Sequence, residues 1–237
     1  MSNLVRFSDY DVFGYLIPGL VLIACWDLVQ GTHFVWEHEN WTISAAAFVV
    51  ILGYVLGHIA AALATLCFDR LLVRGVIGAP PVLLFKRSRQ PSWHAWILGE
   101  YLVPLHPHVR ERVIAAAGLD PAKATTDIGE TLFWRAWPVI KRDPIPCARM
   151  ESFLRLYGFC RNFSFVSLVA AVAIATAPLF PHGANDVDPR WAILALFISA
   201  AMFYRYLKFL RLYSVEIFST FAEAPTAAAS GQMAMTE

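Results

Sequence analysis

The sequence predicts an all-α, polytopic membrane protein. Four transmembrane helices carry a small helical cytoplasmic insert between spans two and three. Three observations predict this. Apolar stretches at 12–29, 43–68, 163–180 and 191–207 are each long enough, or nearly so, to cross about 30 Å of hydrocarbon as a helix. The 237 residues are 58% hydrophobic with a mean hydropathy of +0.53, more apolar than a soluble domain of this length. Finally, the basic residues are distributed unevenly about the stretches.

That distribution sets the expected topology. The connection 30–42 carries Glu37 and Glu39 and no Lys or Arg. The connection 181–189 carries Asp186 and Asp188, with Arg190 at its edge. The other eighteen of nineteen Lys and Arg residues lie before span one, between spans two and three, or from the end of span four onward. The positive-inside rule then places both termini and the insert in the cytoplasm. Trp36, Trp41 and Trp191 fall at the outer interface, where amphipathic rings prefer to lie. The expected organisation is a transmembrane hairpin at 1–68, the insert at 69–160 and a second hairpin at 161–210. After these come a cytoplasmic helical extension at 211–223 and a disordered tail at 224–237. A net charge of +1 offers no general electrostatic case for a nucleic-acid partner.

Span one opens on Ser8-Asp9-Tyr10-Asp11, a variant of the capping box with carboxylates that complement the helix dipole. No basic segment precedes the apolar run and no small-residue cleavage site comes after it, so a retained span is expected. Pro18 and Gly19 interrupt it. Proline removes a backbone donor and clashes with the turn before it, which predicts a kink. The carbonyl so freed must find a partner on another helix. Asp27 lies near the outer end, within reach of water.

Span two carries Gly53, Gly57, Ala61 and Thr65 at four-residue spacing. Such a ladder of small residues lets another helix approach closely, from this chain or a second copy. His58 is next to Gly57. At about 1.5 Å per residue from Ile43 it sits in the cytoplasmic third of the bilayer. Ionisable groups at that depth usually face a bundle interior or a wet cavity. The expectation is a neutral imidazole bonded to a neighbouring helix, with a proton-relay or ligand role as the alternative.

The insert continues span two to Gly75 and Gly78, then holds Pro80, Pro81 and the basic residues Lys86, Arg87 and Arg89, suited to anionic headgroups. Helices are expected at 109–117, ended by Gly118, and at 127–140, with an apolar face of Leu132, Phe133, Trp134, Ala136 and Trp137. Pro138, Pro144 and Pro146 break the segment at 138–146. A helix from Cys147 then runs into span three without a loop, with Pro146 in its first turn. Beyond span four, Arg205, Lys208 and Arg211 form a stripe that can snorkel to headgroups. Tyr206, Leu210, Tyr213 and Ile217 form an apolar seam with coiled-coil spacing; it or the span-two ladder is expected to join protomers of a homo-oligomer, the competing reading being that Trp93, Trp96, Trp134 and Trp137 of the insert cover the seam within one chain.

No catalytic motif is present: no GxSxG, HExxH, Walker loop or glycine-rich dinucleotide turn. No cofactor is implied. Cys25, Cys67, Cys147 and Cys160 lack metal spacing and read as small apolar residues. His106 and His108 lack further ligands at metal spacing, so no metal site is expected.

Three phrases together carry a resemblance: Tyr-Leu-Ile-Pro-Gly at 15–19, Gly-Tyr-Val-Leu-Gly-His at 53–58 and Arg-Tyr-Leu-Lys-Phe-Leu-Arg-Leu-Tyr at 205–213. The chain resembles a loose group of uncharacterised bacterial four-span proteins with an N-terminal "IPG" span, some found beside phage-defence genes. The likeness covers the spans and not the insert. It implies a bacterial inner-membrane location and an effector role, and carries over no catalytic residue. Two functional readings are open. In the first, a non-enzymatic effector or sensor binds a small ligand or a partner protein through its cytoplasmic part, and its spans assemble to perturb the membrane or form a pore. In the second, an inner-leaflet enzyme or transporter holds an anionic lipid headgroup or solute with His58, Asp69 and the arginines of 149–161.

Overall fold

A computed structural model describes residues 11–32, 34–37, 41–86, 98–120, 128–179 and 187–223. The side chains of residues 36 and 37 are not among those described. Also outside lie Arg87, Arg89, Trp93, Trp96, the first three residues of the capping motif and the tail 224–237. Every regular element among the described residues is helical. Four helices are long and apolar enough to cross a membrane: Val12–Gln30, Ile43–Leu84, Pro144–Leu179 and Arg190–Glu223. The chain is therefore a multi-pass membrane protein of the expected class.

The first crossing begins as a π-helical segment, Val12–Leu16, and continues as α1, Ile17–Gln30. The Ile17 N–H reaches back five residues to the Val12 carbonyl. The wide turn lies immediately before Pro18, which is second in α1. Gly31 ends α1 in the left-handed region at φ 66°, which costs glycine little. Asp27 does not reach water as expected. It is 5% exposed and its carboxylate accepts from the N–H groups of Phe34 at 2.9 Å and Val35 at 2.8 Å. It also accepts from the Thr32 hydroxyl. Those two backbone donors open the short helix α2, Phe34–Glu37, so Asp27 caps it from outside.

Helix α3, Ile43–Ala64, is capped by the Thr42 hydroxyl, which accepts from the Ala45 N–H at 3.2 Å. It continues as a π-helical segment, Thr65–Ile77. Then come α4, Pro80–Leu84, α5, Pro107–Ala116, and α6, Ile128–Ile140. Pro138 does not stop α6, which runs two residues beyond it. Helix α7, Pro144–Thr176, starts three residues earlier than expected, with Pro144 rather than Pro146 at its head. Asp143 accepts there from the Ile145 N–H at 3.0 Å. Helix α8, Arg190–Glu223, is unbroken. At about 1.5 Å per residue α7 and α8 are each near 50 Å long, well beyond a hydrocarbon core of about 30 Å.

The chain divides into two units. The first is Met1–Val76 with Arg155–Tyr206, and the second is Ile77–Leu154 with Leu207–Glu237. In the first, α1 and α3 cross at their glycines. A Cβ on Gly19 would overlap the Gly53 carbonyl oxygen, and one on Gly57 would overlap that of Tyr15. Phe68 meets Phe165 and Phe203 edge to face. Phe48, Ile51 and Val55 of α3, and Ile193, Leu196 and Phe197 of α8, are exposed. Outward apolar faces of this kind suit acyl chains.

In the second unit Leu84, Phe85, Val113, Ile114, Leu132 and Ile140 from the insert are almost completely buried. They share one core with Met150, Tyr213, Ile217 and Phe218. The segment expected to be a helical extension at 211–223 is thus a wall of this core. Its apolar stripe had to be covered by something, and Phe85, Phe133 and Trp137 cover it: Phe85 packs on Phe218, and Phe133 and Trp137 on Tyr213. Gly129 allows α6 to touch α4, where a Cβ would overlap the Pro81 carbonyl oxygen.

Candidate functional site

A polar chain inside the first unit joins its four crossings. It starts at Pro18, which has no N–H to offer the Gly14 carbonyl four residues before it. That oxygen accepts instead from Nδ2 of Asn162 on α7 at 2.9 Å. Asn162 is fully buried. Its Oδ1 accepts from Nε and Nη2 of Arg161 at 3.2 and 3.1 Å. Nη1 of Arg161 donates to Oδ2 of Asp69 at 2.6 Å. Asp69, on the π-helical continuation of α3, receives the Tyr206 hydroxyl of α8 on Oδ1 at 2.5 Å. The Tyr157 ring lies 5.7 Å from the Arg161 guanidinium, a cation–π contact.

The Arg161 side chain is 10% exposed and that of Asp69 24%. Charges this far from water persist only when paired and hydrogen-bonded. Each donor edge of Arg161 has an acceptor, and each Asp69 oxygen has a donor. The arrangement is a closed polar lock: a ligand anion would have to displace Asp69 or Asn162 to reach the guanidinium. A second polar tie lies on α7 and α8, where Ser164 and Ser199 each donate to the other's carbonyl at 2.8 and 2.9 Å.

The predicted residues fare unevenly. Gly53, Gly57 and Ala61 are buried, and the partner of Gly53 and Gly57 is the first crossing of the same chain. Thr65 is half-buried and donates to the Ala61 carbonyl at 2.8 Å. Gly19, expected only as part of a kink, is a contact residue of this crossing. His58 corrects expectation. It is exposed, its Nδ1 lies 3.0 Å from the Tyr54 carbonyl of its own helix, and its ring stacks on Tyr15 at 4.0 Å.

The seam is also corrected. Tyr206 and Ile217 have no exposed surface, Tyr213 is buried and Leu210 half-buried, so the stripe is internal. Of the basic stripe, Arg205 and Lys208 are exposed, while Arg211 is half-buried and donates through Nη2 to the Val103 carbonyl at 3.1 Å. Lys86 is half-buried. Arg149 pairs with Glu216 at 3.1 Å. Among the described residues no cluster of three or more metal-ligating side chains occurs, and His106 and His108 stack at 5.3 Å.

Sequence reasoning missed Asn162, Ser164, Ser199 and the hydroxyl of Tyr206. A usable signal was present for Asn162: a polar residue opening an apolar run, on a chain whose Pro18 guarantees one unpaired carbonyl elsewhere. Comparison with protein-family models, with curated proteins and with solved structures finds no match for this chain.

Proposed function

We propose that this protein is a non-enzymatic sensor or effector of the bacterial inner membrane. Its second unit lies on the cytoplasmic side and binds a ligand or partner protein, and its spans respond by altering the permeability of the bilayer. The carrying observation is the continuity of α7 and α8. Each is one unbroken helix, and each supplies residues to both units. A change in the packing of Met150 or Ile217 therefore acts on the same helices that carry Asn162 and Tyr206. The distribution of Lys and Arg supports the cytoplasmic placement. The likeness of the 15–19, 53–58 and 205–213 phrases to four-span proteins beside phage-defence genes supports antiviral defence as the setting. Self-association, where it occurs, uses outward span faces, because the 206–217 stripe is occupied within the chain. Arg161 is paired with Asp69, so of the arginines in the headgroup-enzyme reading the buried one is already engaged within the chain.

The test is expression in bacteria with a potential-sensitive dye. The proposal expects depolarisation that depends on the second unit and is lost in a chain whose 77–154 core is disrupted by Leu132→Asp. An unchanged potential across expression levels and during phage challenge would refute it.

A further inference from the structure

One half-buried cation of the second unit has two covered nitrogens without an acceptor. Arg110 lies in the first turn and a half of α5, and its backbone N–H bonds to the His106 carbonyl at 3.0 Å. Its Nε and Nη2 are shielded from solvent and have no hydrogen-bond partner. These two atoms form one edge of the guanidinium, the fork that meets a carboxylate or phosphate with two parallel bonds. In Arg161 the same edge is satisfied by Asn162. Arg211 of the same unit has a buried Nε without an acceptor, although its Nη2 is satisfied by Val103. Buried donors are almost always paired in folded proteins, so an orphaned pair on one fork calls for an acceptor such as an ion or a water.

We propose that Arg110 anchors an oxyanion-binding site in the second unit, taking a phosphate or carboxylate group on its Nε/Nη2 edge. The site names the ligand class of the sensor reading above and rests on that reading for its consequence. Unpaired, the covered fork disfavours the ligand-free packing. An oxyanion that supplies both acceptors favours the arrangement in which the fork is open to it, and so shifts the population. Planar bidentate geometry makes arginine, and not lysine, the required residue.

The test uses the purified full-length protein in anion-poor buffer at ionic strength matched with chloride. Tm is followed as inorganic phosphate or acetate is added, and in nanodiscs with and without phosphatidylglycerol. The expected result is a rise in Tm with phosphate or acetate that is absent in Arg110→Met and weaker by on the order of tenfold in apparent affinity in Arg110→Lys. A rise seen only with phosphatidylglycerol, and again lost in Arg110→Met, assigns the oxyanion to a lipid headgroup. Arg110→Met should also melt no lower than the parent without oxyanion, since it removes two covered donors that have no acceptor. A lower Tm there, an equal response in both proteins, or no response to any of the probes would overturn the site. Phosphate binding without effect on membrane potential would keep the site and remove the sensor reading. Depolarisation that is identical in Arg110→Met would do the reverse.

Discussion

The amide of Asn162 supplies the hydrogen bond that Pro18 denies to Gly14, at 2.9 Å and with no solvent exposure. One side chain on α7 thus repairs the backbone of the first crossing while its oxygen holds Arg161. Replacing it with alanine leaves the Gly14 carbonyl and one edge of Arg161 without partners at once. Asn162→Ala should lose about 1–3 kcal/mol for the buried groups left unsatisfied. Reversible unfolding in mixed micelles measures this. A loss below about 0.5 kcal/mol, the ordinary range for surface substitutions, would mean that water or lipid replaces the amide.

Asp69 holds two cross-helix partners, so its removal should be the costlier change. Asp69→Ala strands the buried Arg161 charge and is expected to cost about 3–5 kcal/mol. The pair Asp69→Leu with Arg161→Met should recover much of that, because no unpaired charge remains. A double-mutant cycle with additive costs would show that the two side chains do not interact.

Gly57 and Gly75 make a matched contrast on one continuous helical run. A Cβ at Gly57 would enter the Tyr15 carbonyl, whereas at Gly75 the nearest atom stands 3.7 Å away. Gly57→Ala and Gly57→Leu should weaken the α1–α3 crossing and lower stability in detergent. Gly75→Ala should be neutral or slightly stabilising. Equal behaviour of the two sites would remove the close-crossing account.

Ile217 tests whether the stripe is internal. In a cysteine-free background, single cysteines at Tyr213 and Ile217 should give no cross-links between chains. Ile217→Ala should cost about 2–5 kcal/mol as a core cavity. Efficient cross-linking between chains at Ile217 would restore the oligomer seam.

Topology is open to direct measurement. Reporter fusions at His38 and Asp186 should read periplasmic and one at Ser92 cytoplasmic, in line with the eighteen-to-one division of basic residues. A periplasmic reading at Ser92 would invert the whole assignment.

Much of the fold was legible in the amino-acid sequence. The four crossings, the helix ended by Gly118, the irregularity at Pro18 and the close contact at Gly53 and Gly57 arise from hydropathy runs and from the backbone chemistry of proline and glycine. The polar lock was legible only in fragments. Pro18 announces that a carbonyl needs a donor, but any polar residue on three other helices could have supplied it. His58 was expected to bond a neighbouring helix, and its Nδ1 instead meets the Tyr54 carbonyl one turn back on its own helix. The 206–217 stripe was recognised as apolar, and of the two coverings weighed, a second copy and the insert's tryptophans, Phe133 and Trp137 of the insert are found on Tyr213.

Sequence by itself therefore determined that this chain is helical, how many times it can cross a bilayer and where two of its helices approach closely. Those properties depend on sums over short windows and on single-residue stereochemistry. The tertiary structure alone decided which polar groups pair, that Asn162 serves Gly14 while Tyr206 serves Asp69, and that Arg110 is left with an unpaired fork. Such pairings join residues up to 148 positions apart. Their selection depends on the rotation of each helix about its axis, which packing sets and local sequence does not.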